Sequence, residues 1–180
     1  TSVDMSSGDA FLWLIDQGYL ARPVPCDVGF QLDESMVAVS AGDYNLKQAS
    51  EAMHEQNLLE RAVAATVELG NKEGRRCCLT FCQSIADSEL VADLFTYRGW
   101  PTEAVHSKRS DRDDVLERYK RGELKNLTSQ GVLTTGFDHP PVDLICMLRL
   151  TRSVPLHVQM IGRGTRPLFH PGDFDLATRE

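Results

Sequence analysis

The feature that most narrows the possible folds is an alternation. Short apolar runs of strand length recur between longer segments whose apolar residues follow helical spacing. Leu79–Phe81, Thr102–Val105, Leu124–Thr128 and a run within Val142–Leu150 have strand character. Asn45 opens a helical stretch extending to Gly70, with Leu59, Ala62, Val63, Thr66 and Val67 on one face and Asn57 as a break. Asn71–Arg76 reads as a loop. Ser84 and Asp87 predict a capping box for a helix faced by Leu90, Val91, Leu94 and Phe95 and stopped by Gly99. Ser110 and Asp113 predict a second box, ahead of Val115, Leu116, Tyr119 and a stop at Gly122. Pro155 begins a last helix through Val158 and Ile161 into Gly162–Arg166. Strands alternating with helices predict an α/β fold, a parallel sheet with helices on both faces. Ligands of such sheets gather at the carboxyl ends of the strands. The loops after Phe81, Val105, Thr128 and Leu150 are therefore expected to carry the function.

The N-terminal part is less regular. Ala10–Gln17 is an apolar run closed by Gly18, and Pro23 and Pro25 then break the chain. Val28–Leu32 and Met36–Val39 read as short strands. Residues 1–25 are expected to be a connector from a preceding domain, and residues 26–180 a single domain. The chain starts without Met and reads as a piece of something longer.

Composition removes several classes. A chain of 180 residues, 42% of them hydrophobic, suits one globular domain with a sizeable core. No apolar run approaches the ~18 residues that span a bilayer, and Thr1–Ala10 lacks the basic flank of a signal peptide. No membrane role is expected. The five cysteines are odd in number and form no C-x-x-C pair, and the histidines give no metal spacing. Reduced thiols in a cytoplasmic protein, with no metal, are the reading. A net charge of −7 argues against strong autonomous binding to nucleic acid but leaves room for a local basic strip. A dinucleotide-binding fold would need G-x-G-x-x-G after its first strand, and Cys82–Ala86 contains no glycine.

The sharpest chemical signal lies near the C-terminus, in Gln159-Met160-Ile161-Gly162-Arg163-Gly164-Thr165-Arg166. Two arginines three apart occupy one side of a helical turn. Planar guanidinium groups donate paired hydrogen bonds to phosphate oxygens. Gly162 and Gly164 remove side-chain bulk and let another surface approach.

This string, Q-x-x-G-R-x-x-R, resembles motif VI of superfamily 2 helicases, the DEAD/DEAH-box relatives. Val132–Pro140, with Thr134, Thr135, Gly136 and Asp138, resembles motif V. Leu79–Ser84 stands where motif IV is found, and Val105-His106-Ser107 followed by Arg112, Tyr119, Gly122 and Glu123 resembles the stretch between. The four occur in family order across Cys77–Pro167, about half the chain. Residues Ala10–Leu20 weakly resemble the exit from the first helicase domain. No G-x-x-x-x-G-K-[ST] phosphate loop occurs, and Asp33-Glu34-Ser35-Met36 lacks the acidic-box pattern. The resemblance is therefore to the C-terminal, second RecA-like domain alone: a P-loop NTPase-type sheet between helices, without the P-loop.

The resemblance implies ATP and Mg²⁺ held mainly by a preceding RecA-like domain of the same parent chain. Arg163 and Arg166 would stabilise charge on the γ-phosphate as arginine fingers, with Gln159 coupling the helix to the nucleotide or the attacking water. Gly136 and Gly162 would give close approach, and Asp138 would accept from a ribose hydroxyl or orient an arginine. Nucleic acid, DNA rather than RNA, would cross Gln83, Ser84, His106, Ser107, Arg109, Thr134 and Thr135 by its backbone. Ser84 and Ser110 also have cap roles. The polar Thr128, Ser129 and Gln130 depart from the family pattern and predict an early strand end or a longer loop before Thr134. Such a domain alone would be inactive. A double-strand DNA translocase domain shares these motifs, and a non-catalytic RecA-like interaction module would share the fold.

Overall fold

The computed structural model describes residues 8–26, 28–29, 32–40, 42–131 and 137–167. Four parallel strands form the centre: β3 (Cys78–Cys82), β4 (Thr102–Val105), β5 (Asn126–Ser129) and β6 (Leu144–Leu148), in the order β4-β5-β3-β6. They are preceded by α1 (Gly8–Asp16), a 3-10 turn at Glu34–Met36, a two-residue antiparallel pair of β1 (Val39–Ser40) with β2 (Asp43–Tyr44), α2 (Leu46–Glu55) and α3 (Leu58–Lys72). The strands alternate with α4 (Ile85–Tyr97) and α5 (Arg112–Lys120), and α6 (Val154–Ile161) follows β6.

Strand period splits the core into two layers. Cys78 and Cys82 of β3, with Cys146 and Leu148 of β6, face Leu59, Val63 and Val67 of α3 and Val91 and Phe95 of α4. Leu79 and Phe81 face the opposite way, onto Val115 and Tyr119 of α5, Met160 of α6, and Phe137 and Val142. β3 is buried along its whole length because both faces are covered. Full burial of each large apolar side chain contributes about 1.5–3 kcal/mol.

The local signals that hold are those whose side chains find their partners. Asn45 Oδ1 accepts from Lys47 N and Gln48 N at 3.1 Å each and starts α2. Asn57 takes φ 52°, and this left-handed residue divides α2 from α3. Ser84 and Asp87 form the reciprocal box that opens α4. Gly99 and Gly122 stop their helices at φ 81° and 77°. Ser153 caps α6, with Pro155 in its first turn.

Other expectations are corrected. The box at Ser110 and Asp113 does not form: α5 starts at Arg112, and its N-cap Asp111 makes no side-chain cap bond. The Asp111 carboxylate is taken by Arg109, through Nε at 2.6 Å and Nη2 at 2.9 Å. Gly70 does not end a helix. α3 continues to Lys72, and Gly70 lies inside it where the Trp100 indole needs the space. Met36 belongs to the 3-10 turn, and no described residue from Val28 to Leu32 is in a strand.

β5 does not end early either. It runs through Ser129, wholly buried between β4 and β3. Its polar side chains are largely absorbed. Thr128 Oγ1 donates to Ser88 O of α4 at 2.7 Å, and Asn126 Oδ1 accepts from Thr80 Oγ1 at 3.1 Å. A hydroxyl with a nearby carbonyl removes most of the cost of burying it.

Candidate nucleotide and nucleic-acid surfaces

Two separate surfaces carry the residues singled out above. The first lies on the α5/α6 flank. α6 ends at Gly162, and the following turn brings Arg163 and Arg166 against the segment that leads into β6. Arg163 Nη1 donates to Phe137 O, and Arg166 Nη1 to Asp138 Oδ2. Gln159 is exposed on α6, one turn before Arg163. Gly164 permits this arrangement, since a Cβ there would lie 2.8 Å from Ile145 Cγ1 of β6. At Gly162 a Cβ would meet Val158 O at 3.0 Å. The turn therefore rests near the start of β6, on the sheet's flank rather than its carboxyl rim.

The electrostatics suit an incoming anion. Partial burial of Arg163 pushes its pKa down, and the neighbouring Arg166 adds to this against the opposing pull of Asp138. Two guanidinium groups held together are costly without a counter-charge. The Arg166–Asp138 pair is half exposed, 45% and 54%, and exposed pairs contribute only about 1 kcal/mol or less. A more highly charged oxygen can displace that carboxylate cheaply. The phenyl ring of Phe137 is buried against Tyr119, so the carbonyl that anchors Arg163 is itself fixed.

The second surface is the carboxyl edge of the sheet. Gln83 follows β3, His106 follows β4, and Ser129 ends β5. Gln83 is 1% exposed, and its Oε1 accepts from Leu150 N at 2.8 Å. Its Nε2 has no partner among the described residues. Ser84 is engaged with Asp87 at the α4 N-terminus, where the free N–H groups and helix dipole favour anions. Ser107 is exposed in the loop after β4.

His106 and Arg109 are placed less favourably for contact. The His106 ring is buried, with Nε2 3.2 Å from Glu89 Oε1. Arg109 is committed internally, to Glu103 Oε2 at 2.6 Å, Ala104 O at 2.8 Å and Asp111. Thr134, Thr135 and Gly136 lie outside the described residues.

Three contributors were not singled out by the sequence. Phe137 acts through its backbone carbonyl. Asp43 on β2 holds the loop after β6, accepting from Thr151 Oγ1 at 2.8 Å and Arg152 N at 2.6 Å. Thr165, buried in the arginine turn, accepts from Ala21 N at 2.7 Å. Backbone partners and contacts 108 residues apart leave no local pattern.

A parallel sheet in the order β4-β5-β3-β6, sandwiched between helices, with an arginine turn on one flank and a donor-rich carboxyl edge, defines a RecA-like domain of the helicase type. Residues 57–167 match the family "Helicase conserved C-terminal domain", and the chain belongs to that family. It is 31% identical over 164 residues to the "Putative ATP-dependent helicase IRC3" of Saccharomyces cerevisiae, covering 90% of this chain and 24% of that protein. It is 32% identical over 91 residues to the ATP-dependent RNA helicase DHH1 of Encephalitozoon cuniculi, covering 49% of this chain and 19% of that protein. The chain thus spans a quarter or less of these relatives.

Solved structures share the fold at low identity. A fragment of a "putative HsdR subunit of a type I restriction enzyme" from Vibrio vulnificus matches at TM-score 0.60 and 19% identity, over 93% of this chain and 35% of that one. The Escherichia coli DEAD-box protein SrmB matches at 0.54 and 19%, over 68% and 67%.

Proposed function

We propose that this chain is the second motor domain of an ATP-dependent helicase, completing an ATP site whose phosphates and Mg²⁺ are held mainly by a preceding RecA-like domain. The observation that carries this is the convergence of Arg163, Arg166 and Asp138 on one turn beside α6. Two guanidiniums and one exchangeable carboxylate fit a terminal phosphate. ATP supplies the phosphoryl group that passes to water. Arg163, held by Phe137 O, meets the charge that develops on it. Arg166 leaves Asp138 to join, and Asp138 is then available to a ribose hydroxyl. Gln159, four residues before Arg163, orients the water or the nucleotide. Nucleic acid crosses the carboxyl edge at Gln83, Ser84 and Ser107 by its backbone, DNA in preference to RNA, and the domain alone does not turn over ATP. Residues 1–25 serve as the connector to the preceding domain. The relative matched over nine-tenths of the chain, named "Putative ATP-dependent helicase IRC3", supports this reading.

Arg163→Ala in the intact protein tests it. Loss of ATP turnover by a factor of at least about 10³, with nucleotide binding retained, is the expected result. Turnover at the wild-type rate would remove the finger role. Strand displacement by the same protein separates a helicase from a motor that tracks duplex without unwinding it. Competition between DNA and RNA oligonucleotides checks the preference.

A further inference from the structure

Arg149 belongs to none of the motifs, yet its setting is unusual. It follows β6 directly, half-buried at the carboxyl edge, and its Nε is fully enclosed without a hydrogen-bond partner among the described residues. Three other arginines near functional loops are held by partners: Arg109 by Glu103 and Asp111, Arg163 by Phe137 O, and Arg166 by Asp138. Arg149 forms no ion pair with a described carboxylate. Asp43 feels its charge, but that carboxylate is occupied by Thr151 and Arg152.

Its neighbours at this edge are short of acceptors too. Leu150 N, the next backbone donor, is taken by Gln83 Oε1, which leaves Gln83 Nε2 as a second enclosed N–H without an acceptor. Ser129 Oγ, at the end of β5, is a third group of this kind. Arg149 reaches across toward β5: a Cβ on Gly131 would lie 3.9 Å from its Nη1, and Gly131 takes φ 82°. Each such donor left unmade costs about 1–3 kcal/mol, and more when charged. These enclosed groups surround a half-buried guanidinium that has no ion pair with a described carboxylate, and such a cation favours an anionic oxygen at its open side.

We propose that Arg149 is a phosphate-contacting residue for the nucleic-acid strand, set beside Gln83 and gripping one phosphodiester where the strand crosses from β6 toward β5. The ligand class is a nucleic-acid backbone, read without regard to base. The proposal depends on the nucleic-acid reading above and adds a cation to it. Asp43 holds the loop that follows, accepting from Thr151 and Arg152 two and three residues after Arg149.

The test uses the intact protein, a fluorescein-labelled single-stranded oligonucleotide and a salt series, with binding of a fluorescent ATP analogue as a parallel readout. Arg149→Gln is expected to weaken oligonucleotide binding about tenfold at low salt, equally for unrelated sequences. The slope of log affinity against log salt should flatten by about 0.7, one phosphate's worth on a single strand. Nucleotide affinity without oligonucleotide should not change. Unchanged oligonucleotide affinity and slope overturn the proposal. If the glutamine variant does not fold, Arg149→Met, which keeps the apolar stem and removes the charge, decides: a flattened slope with weakened oligonucleotide affinity supports the contact, and wild-type affinity and slope overturn it. Failure of the wild-type protein to bind any oligonucleotide would instead overturn the nucleic-acid reading itself, and this proposal with it.

Discussion

Two glycines show how much a single missing methyl group decides. In a helix interior, Gly→Ala ordinarily stabilises by about 0.5–1 kcal/mol. At Gly70 the sign reverses. A Cβ there would lie 2.3 Å from Trp100 Cη2, and that indole is held by Phe95 stacking at 5.9 Å and by Nε1 donating to Asn71 Oδ1 at 3.0 Å. Gly70→Ala is expected to destabilise the chain by about 1–3 kcal/mol, seen as a lower urea midpoint. Gly164→Ala meets the more compliant Ile145 side chain. Its expected effect is smaller on stability and, on the finger role proposed above, larger on ATP turnover in the intact protein, because it displaces the turn that carries Arg163 and Arg166. A stability loss at Gly164 equal to that at Gly70, with turnover intact, would contradict this.

At the scale of elements, the contrast between two serines separates sequence signal from structure. Ser84 and Ser110 stand at equivalent places in the sequence, each three residues before an aspartate. Ser84→Ala removes a formed cap and should cost about 1 kcal/mol, while Ser110→Ala should stay within about 0.5 kcal/mol in the same denaturation assay. The difference arises from competition. Asp87 is 1% exposed and gathers Ser50 Oγ, His54 Nε2 at 2.7 Å and Ser84 N, so the first box is locked by α2. Around Ser110 the neighbouring Asp111 is drawn to Arg109 instead. The helices, the parallel order of strand and helix, and the arginine turn were legible because periodicity and caps act locally. The hairpin of β1 with β2, the full length of β5 and the continuation of α3 were not. Each depends on a partner distant in sequence: Thr151 for Asp43, Ser88 for Thr128, and Trp100 for Gly70. Among the candidate residues, the proximity of Arg166 to Asp138 was readable, whereas the engagement of Arg109 and the enclosure of His106 were not.

For the molecule as a whole, the sulfur chemistry follows from where the two core layers lie. Cys78, Cys82 and Cys146 line the layer under α3 and α4, and burial drives their thiol pKa values up. Cys77 is pushed to about 11, by burial first and by Asp143 as well, against a lowering bond to Tyr119. A raised pKa leaves almost no thiolate at neutral pH, and only thiolate attacks. Cys26 alone is exposed. A thiol reagent at pH 7.5 should therefore modify Cys26 quickly and the other four only after unfolding, as counted by mass spectrometry. Rapid reaction at Cys78 or Cys82 would mean that the layer under α4 opens in the native state.

The hydrogen bond from Ala21 N to Thr165 O has a mechanical meaning. Thr165 stands between Gly164, wedged on Ile145, and Arg166. The backbone just before Arg22 cannot slide without either breaking that bond or moving Thr165 and the arginine turn with it. Tension applied to the backbone ahead of Arg22 is thus felt within one residue of Arg166, the guanidinium proposed above to meet the terminal phosphate.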